Sequence, residues 1–408
     1  MGVLTTEVSG HFSPYPCSLR IGLVVPSIMN WANGIHLYLA SLAEQLCEAG
    51  HDVTLITADL GHQGGPGGPP IELNSRVMVK LFHVRSKFDR RIYRSTEMTN
   101  WLIANARNFD VADIQGVWSF IAVDAAETFY RFGVPYLITP HGQTTKVDWD
   151  KHPIAKRIFY KVRLRRTWQR ACAIRFYSRD ELRDSLPRDE TRAVILPGAV
   201  VPRPVDVTGE AVQSFRTNNG IPSGYHVILF LGRITEQKGV VQIVDAFQHL
   251  YVRRRDAILV LIGPLDGEYG RTVARKVTQA SCRQAIRMLE PIYDDSKWAA
   301  LASASLFVTL SSNEGLPRAV LEALSHGVPV VATTHSNLPE IETYQAGRLV
   351  NRDASQVAQV FDELLGDAGT LAHMSINARR LIEERFSPGV VVGRTLEMYQ
   401  RVAQLRTP

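Results

Sequence analysis

Short apolar segments alternate with helical segments along most of the chain, and this alternation constrains the fold more than any other feature. In the first half of the chain, the apolar segments are residues 20–26, 52–57, 111–115, 136–139 and 174–177. A second series consists of residues 227–231, 258–262, 306–310, 328–332 and 348–350. Buried strands that alternate with helices pack as a parallel sheet with helices on both faces. The sequence therefore predicts an α/β fold with two open, doubly wound sheets.

The length of the chain, 408 residues, predicts two domains. A single hydrophobic core rarely serves more than about 250–300 residues, so longer chains divide. The regular pattern lapses between about Pro197 and Gly220, in a segment that contains several prolines, and this predicts the linker. We expect a first domain over residues 1–200 and a second over 201–388. A terminal helix over 389–408 is expected to pack back towards the first domain.

Composition excludes several classes of protein. No segment approaches the ~18 consecutive apolar residues of a membrane span, and the N-terminus lacks the pattern of a secretory signal. The four cysteines show no paired spacing, which is typical of a reducing cytoplasm and not of a zinc or disulfide framework. The formal charge of +6 favours anionic partners. No nucleic-acid-binding module is recognisable. We expect a cytoplasmic protein, with peripheral contact at the inner face of the membrane left open.

Seven residues separate two carboxylates, Glu314 and Glu322, which flank a predicted loop-to-helix junction. Pro317 is suited to the first turn of the helix. At ~1.5 Å of rise per residue they cannot share a proton, so they contact different parts of an elongated ligand. The backbone N–H groups of Gly315 and Leu316, at the start of the helix, predict an anion site between them. A nucleotide sugar, with a hydroxylated group at each end and phosphates in the middle, fits this arrangement.

Arg233 and Lys238 follow strand 227–231 in a tight loop, at the sheet edge where ligands of such folds bind. Cleavage of a sugar–diphosphate bond builds negative charge on the leaving phosphate. Two fixed cations stabilise that transition state more than the ground state, which is what catalysis requires. Taken alone, the pair is equally compatible with an ordinary exposed loop. The loop and the two glutamates together indicate chemistry on a diphosphate.

Together these motifs resemble the retaining glycosyltransferases of family 4, whose members have the GT-B fold of two Rossmann-like domains facing across a cleft. The resemblance covers most of the chain, and the chain is similar to members of exopolysaccharide or lipid-linked oligosaccharide assembly. Besides the two glutamates and the Arg233–Lys238 loop, it rests on Gly50-His51-Asp52-Val53, His141-Gly142, Leu196-Pro197-Gly198-Ala199, Ile262-Gly263-Pro264 and Asn337-Leu338-Pro339-Glu340.

The resemblance implies a role for each catalytic candidate. Arg233 and Lys238 would hold the donor diphosphate, and Glu322 would bind the ribose hydroxyls. Glu314 would contact the transferred sugar, and His141 would lie beside that sugar. Without the family, His141 in its Pro-His-Gly turn is as readily structural as catalytic.

The same resemblance supplies further donor contacts. The backbone N–H groups of Gly315 and Leu316 would bind phosphate or sugar, and the base would stack near Ile292 and Tyr293. Gly34 would contact the diphosphate from the first loop. In that loop this chain has Asn33 where the family usually has a second glycine. Asn tolerates unusual backbone angles, so the loop can persist, or its side chain can change the donor or acceptor geometry.

Retention in this family is attributed to front-face displacement, in which the leaving phosphate takes the acceptor proton. Arg233, Lys238 and a helix N-terminus would supply the positive charge, so we expect neither a metal nor another cofactor. Asp148-Trp149-Asp150 has the spacing of a metal motif, but it follows the His141 loop in the acceptor-side domain. A solvated loop or an acceptor contact is the favoured interpretation of that segment.

Residues 151–170 contain eight Lys or Arg and no Asp or Glu. Ile154, Ile158 and Val162 give a partly apolar stripe at helical spacing, with Trp168 nearby. One interpretation is a surface for anionic lipid headgroups or a polyprenyl-diphosphate acceptor. The other is a solvated basic helix that packs its stripe on the sheet, with Trp168 in the core.

The sequence thus predicts a metal-independent, retaining hexosyltransferase of polysaccharide biosynthesis. It would use a nucleotide-diphosphate sugar, with a UDP-sugar such as UDP-glucose favoured over GDP-mannose, and a glycan or polyprenyl-diphosphate-linked acceptor. Two alternatives remain open. One is a GT-B-fold epimerase acting on UDP-N-acetylglucosamine, and the other is a catalytically silent partner in a glycan-assembly complex.

Overall fold

The structure, a computed structural model, describes residues 18–27, 34–60, 75–198, 207–265, 267–292, 295–312, 314 and 317–405. The strands among these residues are β1 (Arg20–Val25), β2 (Asp52–Asp59), β3 (Met78–His83), β4 (Val111–Gln115), β5 (Tyr136–Thr139), β6 (Ala173–Phe176), β7 (Ala193–Ile195), β8 (His226–Leu231), β9 (Ala257–Ile262), β10 (Ile286–Leu289), β11 (Leu306–Thr309), β12 (Val330–Thr333) and β13 (Gly347–Val350).

The helices surround two sheets. They are α1 (Gly34–Glu48), α2 (Lys87–Ile92), α3 (Thr96–Asn105), α4 (Phe120–Arg131), α5 (Lys146–Trp149), α6 (Pro153–Phe159), α7 (Arg165–Arg170), α8 (Arg179–Asp184), α9 (Gly209–Asn218), α10 (Val240–Arg253), α11 (Gly267–Gln279), α12 (Ser296–Ala302), α13 (Arg318–Ser325), α14 (Glu340–Thr343), α15 (Ala354–Leu365), α16 (Ala368–Leu381) and α17 (Pro388–Gln404). A π-helical turn, Tyr160–Leu164, joins α6 to α7.

The first sheet is parallel throughout and has the order β3-β2-β1-β4-β5-β6-β7. The chain builds outward from β1 to β3 and then returns to the other side of β1 with β4. This reversal creates a switch point between β1 and β4, where loops diverge and leave room for a ligand. The central strands β4 and β5 are buried along their whole length, as expected of a sheet covered on both faces.

The second sheet repeats the plan with the order β10-β9-β8-β11-β12-β13, again with parallel neighbours. Its switch point lies between β8 and β11, which pair directly, Phe307 opposite Leu229. The loops after β8 and β11 therefore leave the same part of the sheet edge. Two doubly wound parallel sheets confirm the predicted α/β fold class.

The sequence pattern failed at three sheet edges and at one helix. Strands β3, β7 and β10 were not predicted, because each is an edge strand without a continuous buried run, whereas the edge strand β13 was predicted over residues 348–350. The predicted linker between Pro197 and Gly220 was wrong over part of its length, since α9 occupies Gly209–Asn218. Phe215 is the one buried residue of α9, so no apolar stripe marked it as a helix. Residues 199–206, the other part of the predicted linker, lie outside the described residues.

The chain divides into two compact units, Met1–Val201 with Pro388–Pro408 and Pro202–Ser387. The last helix, α17, is part of the first unit, where the hydroxyl of Tyr399 donates a 2.7 Å hydrogen bond to the buried carboxylate of Asp113. None of the helices among the described residues is long and apolar enough to cross a membrane.

Candidate functional site

Two loops meet at the switch point of the second sheet, because β8 and β11 are neighbours. The backbone N–H of Ser312, after β11, donates to the carbonyl of Gln237, after β8, over 2.8 Å. Gly239 ends the first loop with φ +68°, and a Cβ there would lie 2.4 Å from the carbonyl oxygen of Leu310. Only glycine permits this approach. Strand pairing and one glycine thus bring the Arg233–Lys238 loop against the loop that carries Glu314.

Lys238 and Glu314 form an ion pair between these two loops. The hydroxyl of Ser311 donates to the same carboxylate oxygen of Glu314 over 2.5 Å. The side chain of Glu314 is 10 % exposed and that of Lys238 is 23 % exposed, so both are largely removed from solvent while still reachable. The sequence-predicted residues Lys238 and Glu314 are therefore in direct contact.

The backbone of Glu314 is held by the loop after β12. Its N–H donates to the carbonyl of His335 over 3.1 Å, and its carbonyl accepts a 2.5 Å hydrogen bond from the side chain of Asn337. Asn337 has φ +56°, a left-handed conformation that Asn tolerates better than most residues. The Asn337–Glu340 motif, which the sequence matched without a role, thus fixes the position of Glu314.

Glu322 lies on α13, a short helix that begins at Arg318. Pro317 is the residue before the helix and not part of its first turn, which corrects the prediction by one position. The carboxylate of Glu322 is buried against Lys297 of α12 at 3.2 Å and Arg318 at 3.5 Å. Two cations hold one carboxylate oxygen of Glu322, an arrangement that orients the carboxylate and offsets its charge.

Arg233 is exposed, and no described residue forms a hydrogen bond or an ion pair with its side chain. Lys238 pairs with Glu314, and Lys297 and Arg318 pair with Glu322, while Arg233 lies in the same loop as Lys238, so this region has four basic side chains and two carboxylates. This surplus of positive charge at the edge of the second sheet suits a dianionic group such as a diphosphate.

The described residues do not test most of the other predicted donor contacts. Gly315, Leu316, Tyr293 and Asn33 lie outside the described residues, and Gly34 is described as the first residue of α1. Ile292 lines a cavity of about 600 Å³ between α9 and the start of α12, together with Phe215 and Ser296. Arg233, Lys238, Glu314 and Glu322 are not among the residues that line this cavity.

His141 lies in the first unit, in the turn that follows β5. Its Nε2 donates to Oε1 of Gln115 over 2.7 Å and its Nδ1 accepts from the hydroxyl of Tyr177 over 2.8 Å, which assigns the proton of the neutral ring to Nε2. His141 and Gly142 both have positive φ, +57° and +75°. The next residue in the network, Glu181, is completely buried and accepts from the N–H of Gly142 over 2.6 Å.

Sequence reasoning missed the residues that support these candidates. Arg318 stands four residues before Glu322, a helical ion-pair spacing that could have been noticed. Ser178-x-x-Glu181 has the pattern of a helix capping box, which gave a local signal for Glu181. Lys297 and Gln115 come from distant parts of the chain and carry no local signal.

In the basic segment 151–170 one part is buried and another is exposed, and neither interpretation predicted both. Trp168 is buried in the core of the first unit, as the structural alternative proposed. Ile154, Ile158 and Val162 are instead exposed by 73 %, 59 % and 69 %, so the stripe does not pack on the sheet. Asp148, of the Asp-x-Asp segment, accepts from the indole N–H of Trp118 over 3.0 Å and pairs with Lys156 at 2.5 Å.

Family models match both halves of the chain. The model of the glycosyl transferases group 1 matches residues 212–381, which contain the Arg233, Lys238, Glu314 and Glu322 cluster. A second model, of the glycosyl transferase 4-like domain, matches residues 33–198, which contain the His141 turn.

Curated relatives match almost the full length. The MMP alpha-(1->4)-mannosyltransferase of Mycolicibacterium hassiacum is 24% identical over 430 residues, which cover 94% of this chain and 98% of the relative. The phosphatidyl-myo-inositol mannosyltransferase of Mycobacterium tuberculosis is 24% identical over 403 residues, covering 94% of this chain and 97% of the relative.

Solved structures share the fold at low sequence identity. A glycosyltransferase from Rickettsia africae superposes with a TM-score of 0.74 at 16% identity, covering 96% of this chain and 100% of that one. Anabaena Alr3699/HepE in complex with UDP-glucose superposes with a TM-score of 0.70 at 14% identity, covering 94% of this chain and 100% of that one. At these identities the likeness concerns the fold alone, which is that of GT-B glycosyltransferases.

Proposed function

Because the chain belongs to the group 1 glycosyl transferases of family 4, enzymes that use nucleotide sugars, we propose that it transfers a hexose to a glycan or lipid-linked glycan acceptor with retention of configuration. The donor is a nucleotide-diphosphate sugar bound at the edge of the second sheet. The single observation that carries the proposal is the contact of Lys238 with Glu314 beside the exposed Arg233.

Each residue has a stated task in this proposal. Arg233 and Lys238 bind the diphosphate and stabilise the charge that develops on it as the sugar leaves. Glu322, oriented by Lys297 and Arg318, accepts hydrogen bonds from the ribose hydroxyls. Glu314, anchored through its backbone by Asn337, accepts from the hydroxyls of the transferred sugar.

The proposal also includes the other donor contacts that the family resemblance implies. Gly34, Gly315 and Leu316 would contact the diphosphate or sugar, and Ile292 and Tyr293 the base. The His141 turn contributes to transfer from the first unit. Front-face displacement, with the leaving phosphate as proton acceptor, requires no separate base.

We propose that transfer needs no metal ion. Arg233 and the three basic side chains that pair with Glu314 and Glu322 can supply the charge that a divalent cation supplies in other transferases. Within the described residues, no three His, Cys, Asp or Glu side chains are grouped so that they could hold a metal.

The donor is tested with a panel of UDP-, GDP- and ADP-sugars in EDTA, following the thermal shift of the protein and the release of nucleotide. A UDP-sugar is the donor that the sequence favours, while two relatives are named mannosyltransferases, which supports GDP-mannose. Stabilisation and slow release with one donor class would support the proposal and identify the base. Folded protein that no donor stabilises would contradict it and favour the silent partner.

The epimerase alternative is tested in the same reactions. An epimerase would convert UDP-N-acetylglucosamine to its epimer, whereas a transferase releases nucleotide and passes the sugar on. The family model and the named relatives, all transferases, support transfer.

We also propose that the outer face of residues 151–170 contacts an anionic membrane, at the inner face where a lipid-linked acceptor would reside. Ile154, Ile158 and Val162 occupy successive turns of this exposed face. Arg157, Lys161, Arg165 and Arg166 are exposed beside them. Apolar side chains that insert between headgroups, flanked by cations that attract anionic lipid, are typical of interfacial helices.

Replacing Ile158 with Glu is expected to weaken binding to vesicles that contain phosphatidylglycerol by about tenfold or more, because it removes one buried apolar side chain and adds a repelled charge. Cosedimentation measures the binding. Val252→Glu is the matched control, since Val252 is 73 % exposed on α10 of the other unit. Equal binding by Ile158→Glu and wild type would contradict the membrane contact.

A further inference from the structure

One buried carboxylate fastens two loops of the first sheet. Glu181 is completely buried, and its two carboxylate oxygens accept from different backbone N–H groups. Oε1 accepts from Gly142, in the turn after β5, over 2.6 Å. Oε2 accepts from Tyr177, directly after β6, over 2.7 Å. Because β5 and β6 are neighbours, the carboxylate bridges the ends of two adjacent strands.

The turn that Glu181 holds is strained. His141 has φ +57°, a left-handed conformation that costs a residue with a side chain on the order of 1–2 kcal/mol. Gly142 follows with φ +75°, so two successive residues adopt this conformation. Such a turn persists only where its surroundings determine it. Here Gln115 and Tyr177 hold the His141 ring, and Glu181 holds the next backbone N–H.

A helix capping box would explain only part of this geometry. Ser178 does accept from the N–H of Glu181 over 3.0 Å, as a helix N-cap does. In a capping box, however, the Glu side chain returns to the N–H of the cap residue itself. Glu181 instead accepts from Tyr177, one residue earlier, and from Gly142, which is 39 positions away. The long-range bond is not needed to cap α8.

We propose that Glu181 is a positioning residue for the transfer reaction, whose carboxylate fixes the His141–Gly142 turn in the conformation used in transfer. This inference rests on the proposed function, in which that turn contributes to transfer. Glu181 touches neither donor nor acceptor in this role. It acts through the backbone of Gly142 and the placement of His141.

The carboxylate form is the one that can make both bonds. Ionised Glu181 offers two acceptor oxygens, whereas the protonated acid presents a hydroxyl to one of the two N–H donors. Burial raises the pKa of Glu181 to about 7, while the N–H groups of Tyr177 and Gly142 and the charge of Arg175 partly oppose the rise. The bridge between the loops therefore loses one bond as the pH falls through about 7.

The charged and titratable groups around Glu181 come from several elements. Arg175 of β6 is fully buried and is the one whose charge acts on Glu181. Tyr177 and His141 lie at the strand ends beside it, and Tyr38 of α1, Asp113 of β4 and Tyr399 of α17 surround Arg175. On α8 itself the charged groups are Arg179, Asp180, Arg183 and Asp184.

Stability and activity should respond to pH in opposite directions. Because the pKa of Glu181 in the folded chain is about 7, above its ordinary value of 4.5, folding favours the protonated form. The contribution of Glu181 to stability is therefore fully present below pH 4.5 and is lost as the pH rises through about 7. Over the same range the carboxylate forms and completes the bridge, so transfer should become faster.

The test compares kcat at saturating donor for wild type, Glu181→Gln and the exposed control Glu190→Gln, from about pH 6 to about pH 8. We expect wild type and Glu190→Gln to rise with a midpoint near pH 7. Glu181→Gln has one acceptor oxygen, so its kcat should stay near the low-pH value of wild type at every pH. At high pH its kcat should therefore be about tenfold lower than that of wild type, because one charge-assisted bond is missing. The affinity for the nucleoside diphosphate alone should change little, since Arg233, Lys238 and Glu322, which we propose to bind it, lie in the other unit.

Equal kcat values for Glu181→Gln and wild type at every pH would overturn the proposal. A wild-type kcat that does not rise near pH 7 would also overturn it, and this measurement needs no variant. The backbone amide resonance of Gly142 gives a readout that does not depend on activity. It should shift with pH in wild type and not in Glu181→Gln; a resonance that is the same in both proteins and at both pH extremes overturns the bridge. Absence of transfer by wild type from every donor would instead refute the proposed function.

Discussion

Replacing Glu314 with Gln should lower the rate of sugar transfer by about two to three orders of magnitude, the range seen when a single preorganised polar contact to a transition state is removed. Gln has the same shape, so the loop keeps the backbone bonds to His335 and Asn337. It lacks the charge that pairs with Lys238 and offers one acceptor oxygen instead of two. The hydroxyls of the transferred sugar then lose a charged acceptor.

The affinity for the nucleoside diphosphate without sugar is the informative second measurement. It should change little in Glu314→Gln, because the proposed contact is to the sugar and not to the phosphates. Glu268→Gln, an exposed change of the same kind on α11, is the control and should behave as wild type. Unchanged transfer by Glu314→Gln would remove Glu314 from the site.

Replacing Arg233 with Ala should reduce kcat/KM for the nucleotide sugar by about two orders of magnitude or more, because the diphosphate loses one of its two direct cations. Arg233 is exposed and no described residue forms a hydrogen bond or an ion pair with its side chain, so stability should hold when the side chain is removed. The variant should therefore bind the donor more weakly and also have a lower kcat.

Calorimetric titration separates a phosphate contact from a general defect. Affinity for the nucleoside diphosphate should fall in Arg233→Ala, while affinity for the nucleoside alone should be retained. Arg275→Ala removes an exposed arginine from α11 of the same unit and should leave both affinities as they are in wild type. Equal diphosphate affinity in Arg233→Ala and wild type would show that Arg233 does not contact the phosphates.

The central strands were predictable because a sheet buried on both faces requires continuous apolar runs. Strand β9, Ala257–Ile262, is buried at every position, and its sequence shows this directly. The edge strand β3 buries only Phe82, so it has no such run. Helix α9 is stabilised by one buried side chain, Phe215, and its polar sequence resembles a linker. Hydrophobic patterns therefore predict the buried strands, and they miss elements such as β3 and α9 that bury few side chains.

In the second sheet, the candidate residues were predictable and their partners were not. Glu314, Lys238 and Arg233 belong to compact local motifs, which a single sequence displays. The contact between Lys238 and Glu314 depends on the pairing of β8 with β11, which no local pattern specifies. Lys297 reaches Glu322 from a different helix, α12, and no local pattern specifies that contact either.

The first unit shows a similar limit. The sequence resemblance pointed to His141 but gave no reason for its unusual backbone conformation. That reason is a set of side chains from β4, from the end of β6 and from α8, namely Gln115, Tyr177 and Glu181. The capping-box pattern of Ser178 and Glu181 signals the start of a helix and not the bond from Gly142, so the folded structure is needed to find this role.

The most direct test of the central claim is transfer of labelled sugar from UDP-glucose and GDP-mannose, in EDTA, into membrane-extracted acceptors. We expect wild type to move label from one of these donors into an acceptor product with retained anomeric configuration. We expect Glu314→Gln to do so at a small fraction of that rate. Folded wild-type protein that neither transfers label nor binds either nucleotide would show that the chain is not a glycosyltransferase of this kind.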